Sequence, residues 1–351
     1  EAIGVLGRSA GVDTVLRALG LEGTAGSDVG PQDGEDGRGG VQGARESTRV
    51  ACVHALRELY NSTSDFRYIV PLIHHLCDPS DAVRSATFMA VREIEAPPGV
   101  LGLLSLHMSH GDAGVRRTTV DCVHAIAETG RFSGEETRCA EGLVRQHFRD
   151  GDWRVRMAAL RTVAVLGSEE LDDVLELVHD KSPDVRLECY HCLAALVRSG
   201  HPQIVKVLAR ALRTEDSTAH FVTLCETITK AGQVENSCDA AEALAFGARC
   251  EEVPRRLAAL RGLEAAAPRG HEATITASLA CLTLEDAELV SAAVAVLRRV
   301  SPVGEHRVVQ ALSEMVTGRV DVLRPIALQG LRDVAEQGDR GVLAALRLRL
   351  G

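Results

Sequence analysis

Along most of this chain, apolar residues return in a repeating frame whose second place is arginine. Five stretches show it best: TRVACVHALREL from 48, VRSATFMAVREI from 83, VRRTTVDCVHAI from 115, VRMAALRTVAVL from 155 and VRLECYHCLAAL from 185. Arg49, Arg84, Arg116, Arg156 and Arg186 hold the second place, at steps of 35, 32, 40 and 30 residues. Apolar or small residues recur at places one, five, eight, nine and twelve, the one-face spacing of an amphipathic helix. A second helix fits in each interval: FRYIVPLIHHLCD, GVLGLLSLHMSH, EETRCAEGLVRQHF and EELDDVLELVHD.

The frame continues more weakly after residue 215. STAHFVTLCETI from 217, EVPRRLAALRGL from 252, LVSAAVAVLRRV from 289 and LRPIALQGLRDV from 323 keep the apolar places, and in this alignment only the last keeps the arginine, as Arg324. Their partner helices read PQIVKVLARAL, SCDAAEALAF, EATITASLACL and EHRVVQALSEM. Nine helical pairs follow, joined by turns such as DPSD, DGD, DKSPD and SPVG, whose Asp, Pro, Gly and Ser residues stop and start helices. Self-similarity at this period marks an array in which each unit buries its face against its neighbours.

The turn aspartate followed five and six residues later by Val-Arg resembles the HEAT-repeat family: Asp78 with Val83-Arg84, Asp150 with Val155-Arg156, Asp180 with Val185-Arg186. The resemblance covers essentially the whole chain. It implies an all-α, right-handed α-α superhelix of armadillo-like type, about nine helical pairs, with an outer A helix and an inner B helix in each. It also implies that Asp78, Arg84, Asp150, Arg156, Asp180 and Arg186 form a structural ladder between neighbouring repeats. EAIGVLGRSAG then reads as the tail of a B helix, GVDTVLRALG as an A helix, and RGVLAALRLRLG as an A helix without its partner. Residues 1–351 are expected to be one solenoid, a stretch of a longer array. Residues 21–45 hold eight glycines and five acids and almost nothing apolar, so they are expected to be a disordered insertion.

Composition narrows the function. The chain of 351 residues is 45% hydrophobic but only 3% aromatic, which suits a thin core of Leu, Val, Ala and Cys between small helices. The net charge of −10 argues against a nucleic-acid binder, whose affinity rests on neutralising phosphates. It favours a partner with a neutral or basic surface. Lysine occurs only at 181, 206 and 230. The ten cysteines are scattered through apolar helical patterns and read as reduced thiols, which favours a reducing intracellular compartment, the cytoplasm. No apolar run is long enough to span a membrane. The sequence opens on Glu1, so a missing N-terminal leader and an organelle stay open.

Candidate chemistry is sparse. Cys189 and Cys192 form a CxxC around His191, but they hold the fifth and eighth places of the frame, where other repeats carry small core residues, and no second CxxC completes a zinc site. His74-His75, Cys77 and Asp78 close an A helix. His271-Glu272 is the only His-Glu pair, so a di-iron centre like that of the HEAT-like deoxyhypusine hydroxylase lacks its ligands. Trp153, the only tryptophan, sits beside Arg154 in a turn. No phosphate loop, nucleophile elbow or HExxH zinc motif is present. No catalytic, cofactor or metal residue is therefore expected. The expected function is a non-enzymatic scaffold, a subunit of a larger complex, that meets partners through off-core B-helix residues His54, Met89, Asp121, Arg161, His191 and Thr223. A HEAT-like enzyme subunit, such as a bilin lyase, and a nucleic-acid or filament binder are the alternatives.

Overall fold

The computed structural model describes residues 38–350, apart from 96, 131, 169, 198–202, 236–237, 285 and 319. Regular structure among them is entirely helical. The chain divides into two compact units, residues 1–166 and 167–351.

In the first unit, α1 (Arg38–Thr63), α3 (Asp81–Glu93), α5 (Ala113–Glu128) and α7 (Trp153–Leu166) are the B helices, and each packs on the next. Between them lie the A helices α2 (Ile69–His74), α4 (Val100–Met108) and α6 (Gly134–Arg145). In the second unit the B helices are α9 (Pro183–Leu196), α11 (Thr218–Glu235), α13 (Val253–Ala266), α15 (Ala287–Val300) and α17 (Arg324–Val334), again packed in sequence. Its A helices are α8 (Asp172–Glu176), α10 (Ile204–Leu212), α12 (Cys238–Gly247), α14 (Glu272–Cys281), α16 (His306–Thr317) and α18 (Arg340–Leu350). Several A helices are shorter than their apolar pattern, because their last turn tightens into a 3-10 helix, as at His75–Cys77, Gln146–Arg149 and Leu177–His179. Such tightening gives terminal carbonyls a partner.

Side chains start the helices. Asp112 accepts from the backbone N–H groups of Gly114 (2.6 Å) and Val115 (3.2 Å) at α5. Asp286 does the same for Glu288 and Leu289 at α15. Ser133 and Glu136 close a reciprocal capping box on α6. Two loops tie one repeat to the next. Gly270, at φ +78°, donates its N–H to the carbonyl of Val300 at the end of α15, and Gly304, at φ +80°, donates to Val334 at the end of α17. Glycine takes this left-handed backbone without strain.

The core follows the frame. Ala90, Val91, Val123, Ala159, Leu193 and Leu297 are buried at its apolar places. Thr87, Thr119 and Thr162 are buried as well, each donating its hydroxyl to the carbonyl four residues back. A threonine satisfied in this way costs a core little. Of the segment expected to be a disordered insertion, residues 38–45 are the first turns of α1, and 21–37 lie outside the described residues. The segments EAIGVLGRSAG and GVDTVLRALG, expected to be a B-helix tail and an A helix, also lie outside them.

Two alignments need correction. The buried positions of α11 are His220, Phe221, Leu224, Cys225, Thr227, Ile228, Ala231 and Gly232, the burial pattern of the α9 frame from 185, and those of α13 include Ala259, Leu260, Gly262 and Leu263. The frame therefore starts at 220 and 255, each three residues later than the apolar pattern alone suggests. Three residues is close to one helical turn, so the earlier frame also presents an apolar face. In the corrected frame Arg256 holds the arginine place of α13.

Candidate interaction surface

The arginine place is built the same way in six repeats. Each side chain donates to the carbonyl six residues earlier, at the turn between A and B helix. Arg84 reaches Asp78 (2.6 Å), Arg116 His110 (2.7 Å), Arg156 Asp150 (2.8 Å), Arg186 Asp180 (3.1 Å) and Arg324 Gly318 (3.4 Å). Arg256 reaches Cys250. The guanidinium closes the turn from inside.

The same place also joins repeats. Arg49 of α1 grips the Asp78 carboxylate through two hydrogen bonds of 2.7 and 3.1 Å. Arg116 of α5 grips Asp150 at 2.7 and 2.8 Å. Arg186 of α9 reaches Glu215, at 3.2 and 3.4 Å. Glu215 is buried and also accepts from the Tyr190 hydroxyl (3.1 Å). Burial alone would raise the pKa values of Asp150 and Glu215 above the usual carboxylate range. The arginine hydrogen bonds, with backbone N–H groups of Asp152 and Ser217, outweigh burial and hold both below it. Between α11 and α13 a different tie appears. Arg255 donates to the Glu215 carbonyl (3.2 Å) and lies 5.1 Å from the centre of the Phe221 ring.

The B-helix residues expected to meet partners are distributed as follows. His54, Met89, Arg161 and His191 are exposed, and Asp121 is half-buried. Burial raises the Asp121 carboxyl above its ordinary range, more than the neighbouring Arg117, His124 and Arg161 lower it. Thr223 does not share their place. It is half-buried, its hydroxyl donates to the Ala219 carbonyl (3.3 Å), and in the corrected frame the seventh place of α11 is Glu226. The seventh place of α13 is Arg261.

These two residues rim a groove of about 520 Å3 between α11 and α13. Val222, Pro254, Leu257 and Ala258 supply its apolar lining, and Lys230 and Glu288 complete the charged rim. The Arg261 guanidinium lies 3.1 Å from Glu288, with both side chains about two-thirds exposed at 69% and 66%. Gly262 explains how the helices approach. A Cβ there would stand 2.5 Å from the Thr229 hydroxyl and 3.1 Å from Leu244, so only glycine lets α13 in this close. One turn earlier, the small Ala258 leaves the space above α11 open. The misplaced frame hid Glu226 and Arg261. Arg256, six residues past the turn residue Cys250, was the signal that would have set it.

The other candidates are structural. Cys189 and Cys192 are 0% and 1% exposed; the Cys189 thiol donates to the Val174 carbonyl (3.1 Å), and burial pushes its pKa far up. His191 points away from them into solvent. His271 caps α14 through Thr274, and Glu272 pairs with Arg307 (2.7 Å). Cys77 Sγ lies 3.1 Å from His107 Nδ1. No three His, Cys, Asp or Glu side chains among the described residues are grouped to hold a metal ion. Trp153 opens α7 with the Arg154 guanidinium 4.9 Å over its ring. None of the described helices is long and apolar enough to cross a membrane.

Residues 140–222 match the family model of HEAT repeats. The crystal structure of an engineered protein is similar at a TM-score of 0.52 and 15% identity, over 97% of this chain and 93% of that one. The karyopherin Kap121p bound to the extreme C-terminus of the protein phosphatase Cdc14p is similar at a TM-score of 0.52 and 13% identity, over 84% of this chain and 37% of that one. Kap121p bound to Pho4p gives 0.51 and 14%, over 84% and 36%. The chain thus spans a little over a third of the karyopherin's length. No curated protein matches it in sequence. Repeats built on one arginine frame, a family match in their midst and solved structures of the same architecture lead to one conclusion: the fold of this chain is an all-α HEAT-repeat helical solenoid.

Proposed function

We propose that the chain is a non-catalytic interaction scaffold that holds a segment of a partner protein on the B-helix face of residues 167–351. The groove between α11 and α13 carries this reading. It joins an apolar lining to a rim of two acids and two bases, the make-up of a contact patch with an anchoring pocket. The karyopherin of similar fold has been solved bound to Cdc14p, Pho4p and Nup53p, which supports a role in holding other proteins. The net charge of −10 favours a neutral or basic partner, met as part of a larger complex.

A photo-reactive amino acid at position 261 tests this against one at 276, an exposed site on the A helix α14. In extract of the source cells, the probe at 261 is expected to give a discrete protein adduct and the probe at 276 none. Equal labelling from both faces would overturn the proposal.

A further inference from the structure

The corrected frame exposes a row that the earlier one scrambled. Its third place is Leu187 on α9, Val222 on α11 and Leu257 on α13, three consecutive B helices packed on one another. All three are apolar and half-buried. On α15 the third place is the exposed Ser291, where the row stops. The seventh place, four residues further along each helix, is His191, Glu226 and Arg261, all exposed. At about 1.5 Å per residue the two rows lie about 6 Å apart. The apolar strip is therefore one side chain wide with a polar strip beside it.

Spacing and width select the ligand. Packed helix axes lie about 8–10 Å apart, so the row repeats at about that distance. A polyproline-II chain rises about 3.1 Å per residue with three residues per turn, and presents a side chain to one side every ~9.3 Å. A β-strand does so every ~6.7 Å and falls out of step by the third anchor. It would also find no sheet edge to pair with, whereas a polyproline-II backbone keeps its N–H and C=O groups in water. A helical ligand, about 10–12 Å across, would cover both strips and press its apolar side onto the charged rim. The rim adds one more element. Arg261 and Glu288 pair with each other, while Glu226, one turn from Val222, has no ion-pair partner among the described residues.

We propose that the row Leu187, Val222, Leu257 receives an extended, polyproline-II-like segment of a partner protein, with apolar residues at i, i+3 and i+6 and a basic residue beside the middle one. This rests on the scaffold reading and gives its site a ligand chemistry.

Three labelled peptides of one composition, each with three leucines and one lysine, test it by fluorescence anisotropy with the purified protein. One places leucine every third residue, one every second, and one at heptad spacing in a helix-stabilised frame. The every-third peptide is expected to bind about ten-fold tighter than the others, as an anchored contact does. Leu257→Asp is expected to abolish that gain. Glu226→Lys, on an exposed side chain that leaves folding untouched, is expected to weaken the lysine peptide and to be rescued by a glutamate in its place. If another spacing wins and remains sensitive to Leu257→Asp, the register proposed here is wrong and the scaffold reading stands. If no peptide responds to Leu257→Asp, both fall.

Discussion

At the scale of single residues, burial decides what an ion pair contributes. Arg116 and Asp150 meet through two charge-assisted hydrogen bonds, with only 17% and 7% of their side chains exposed. Arg307 and Glu272 make an equally short pair, but 47% and 68% of their side chains lie in water. Leaving the Asp150 carboxylate buried without its cation is costly, so Arg116→Met should destabilise the first unit by about 2 kcal/mol. Arg307→Met should leave stability nearly unchanged, because an exposed pair is screened and pays for its own ordering. Urea unfolding of both variants checks this, and equal midpoints would refute it. The sequence named Asp150 as a ladder residue but could not show its partner. Arg116 and Asp150 lie 34 residues apart, and a turn aspartate looks the same whether it faces the preceding repeat or its own helix.

At the scale of elements, the helices were legible because their period and their caps agree. Ser133 and Glu136 stand three apart before an apolar run, and the structure builds the reciprocal cap there. Ser133→Ala should cost about 1 kcal/mol and speed amide exchange in the first turn of α6, with exchange in α7 unchanged. Unchanged exchange at residues 134–137 would count against the cap's role. Register was less legible. A helix in which Phe221 or Val290 replaces the arginine carries no mark of where its frame begins, and a three-residue slip still gives an apolar stripe. The groove inherited that error. Thr223 stood in for Glu226, and Leu187, Val222 and Leu257 fell out of line, so the interaction row was invisible until buried positions fixed the frame. The short A helices were over-read for a related reason, since 3-10 turns keep the apolar spacing for one more turn.

At the scale of the whole chain, acid should act on the turns. Asp112 is held below the ordinary carboxylate range by the N–H groups of Val115 and Gly114, and Asp150 and Glu215 are held below it by their arginines despite burial. A carboxylate whose folded pKa is depressed adds stability above its unfolded pKa, and that stability is lost as pH falls through the folded value. The urea midpoint should therefore be steady near neutrality and fall once the pH drops below about 4, the ordinary carboxylate range. A flat profile down to about pH 3 would mean that these contacts contribute little. The arginine that reaches back six residues has a different consequence. Its acceptor is a main-chain oxygen, which every amino acid possesses. Asp78, His110, Cys250 and Gly318 all serve. The turn can thus change its side chains freely without losing its fastening, so a repeat can drift beyond recognition in its letters while the joint between its two helices stays the same.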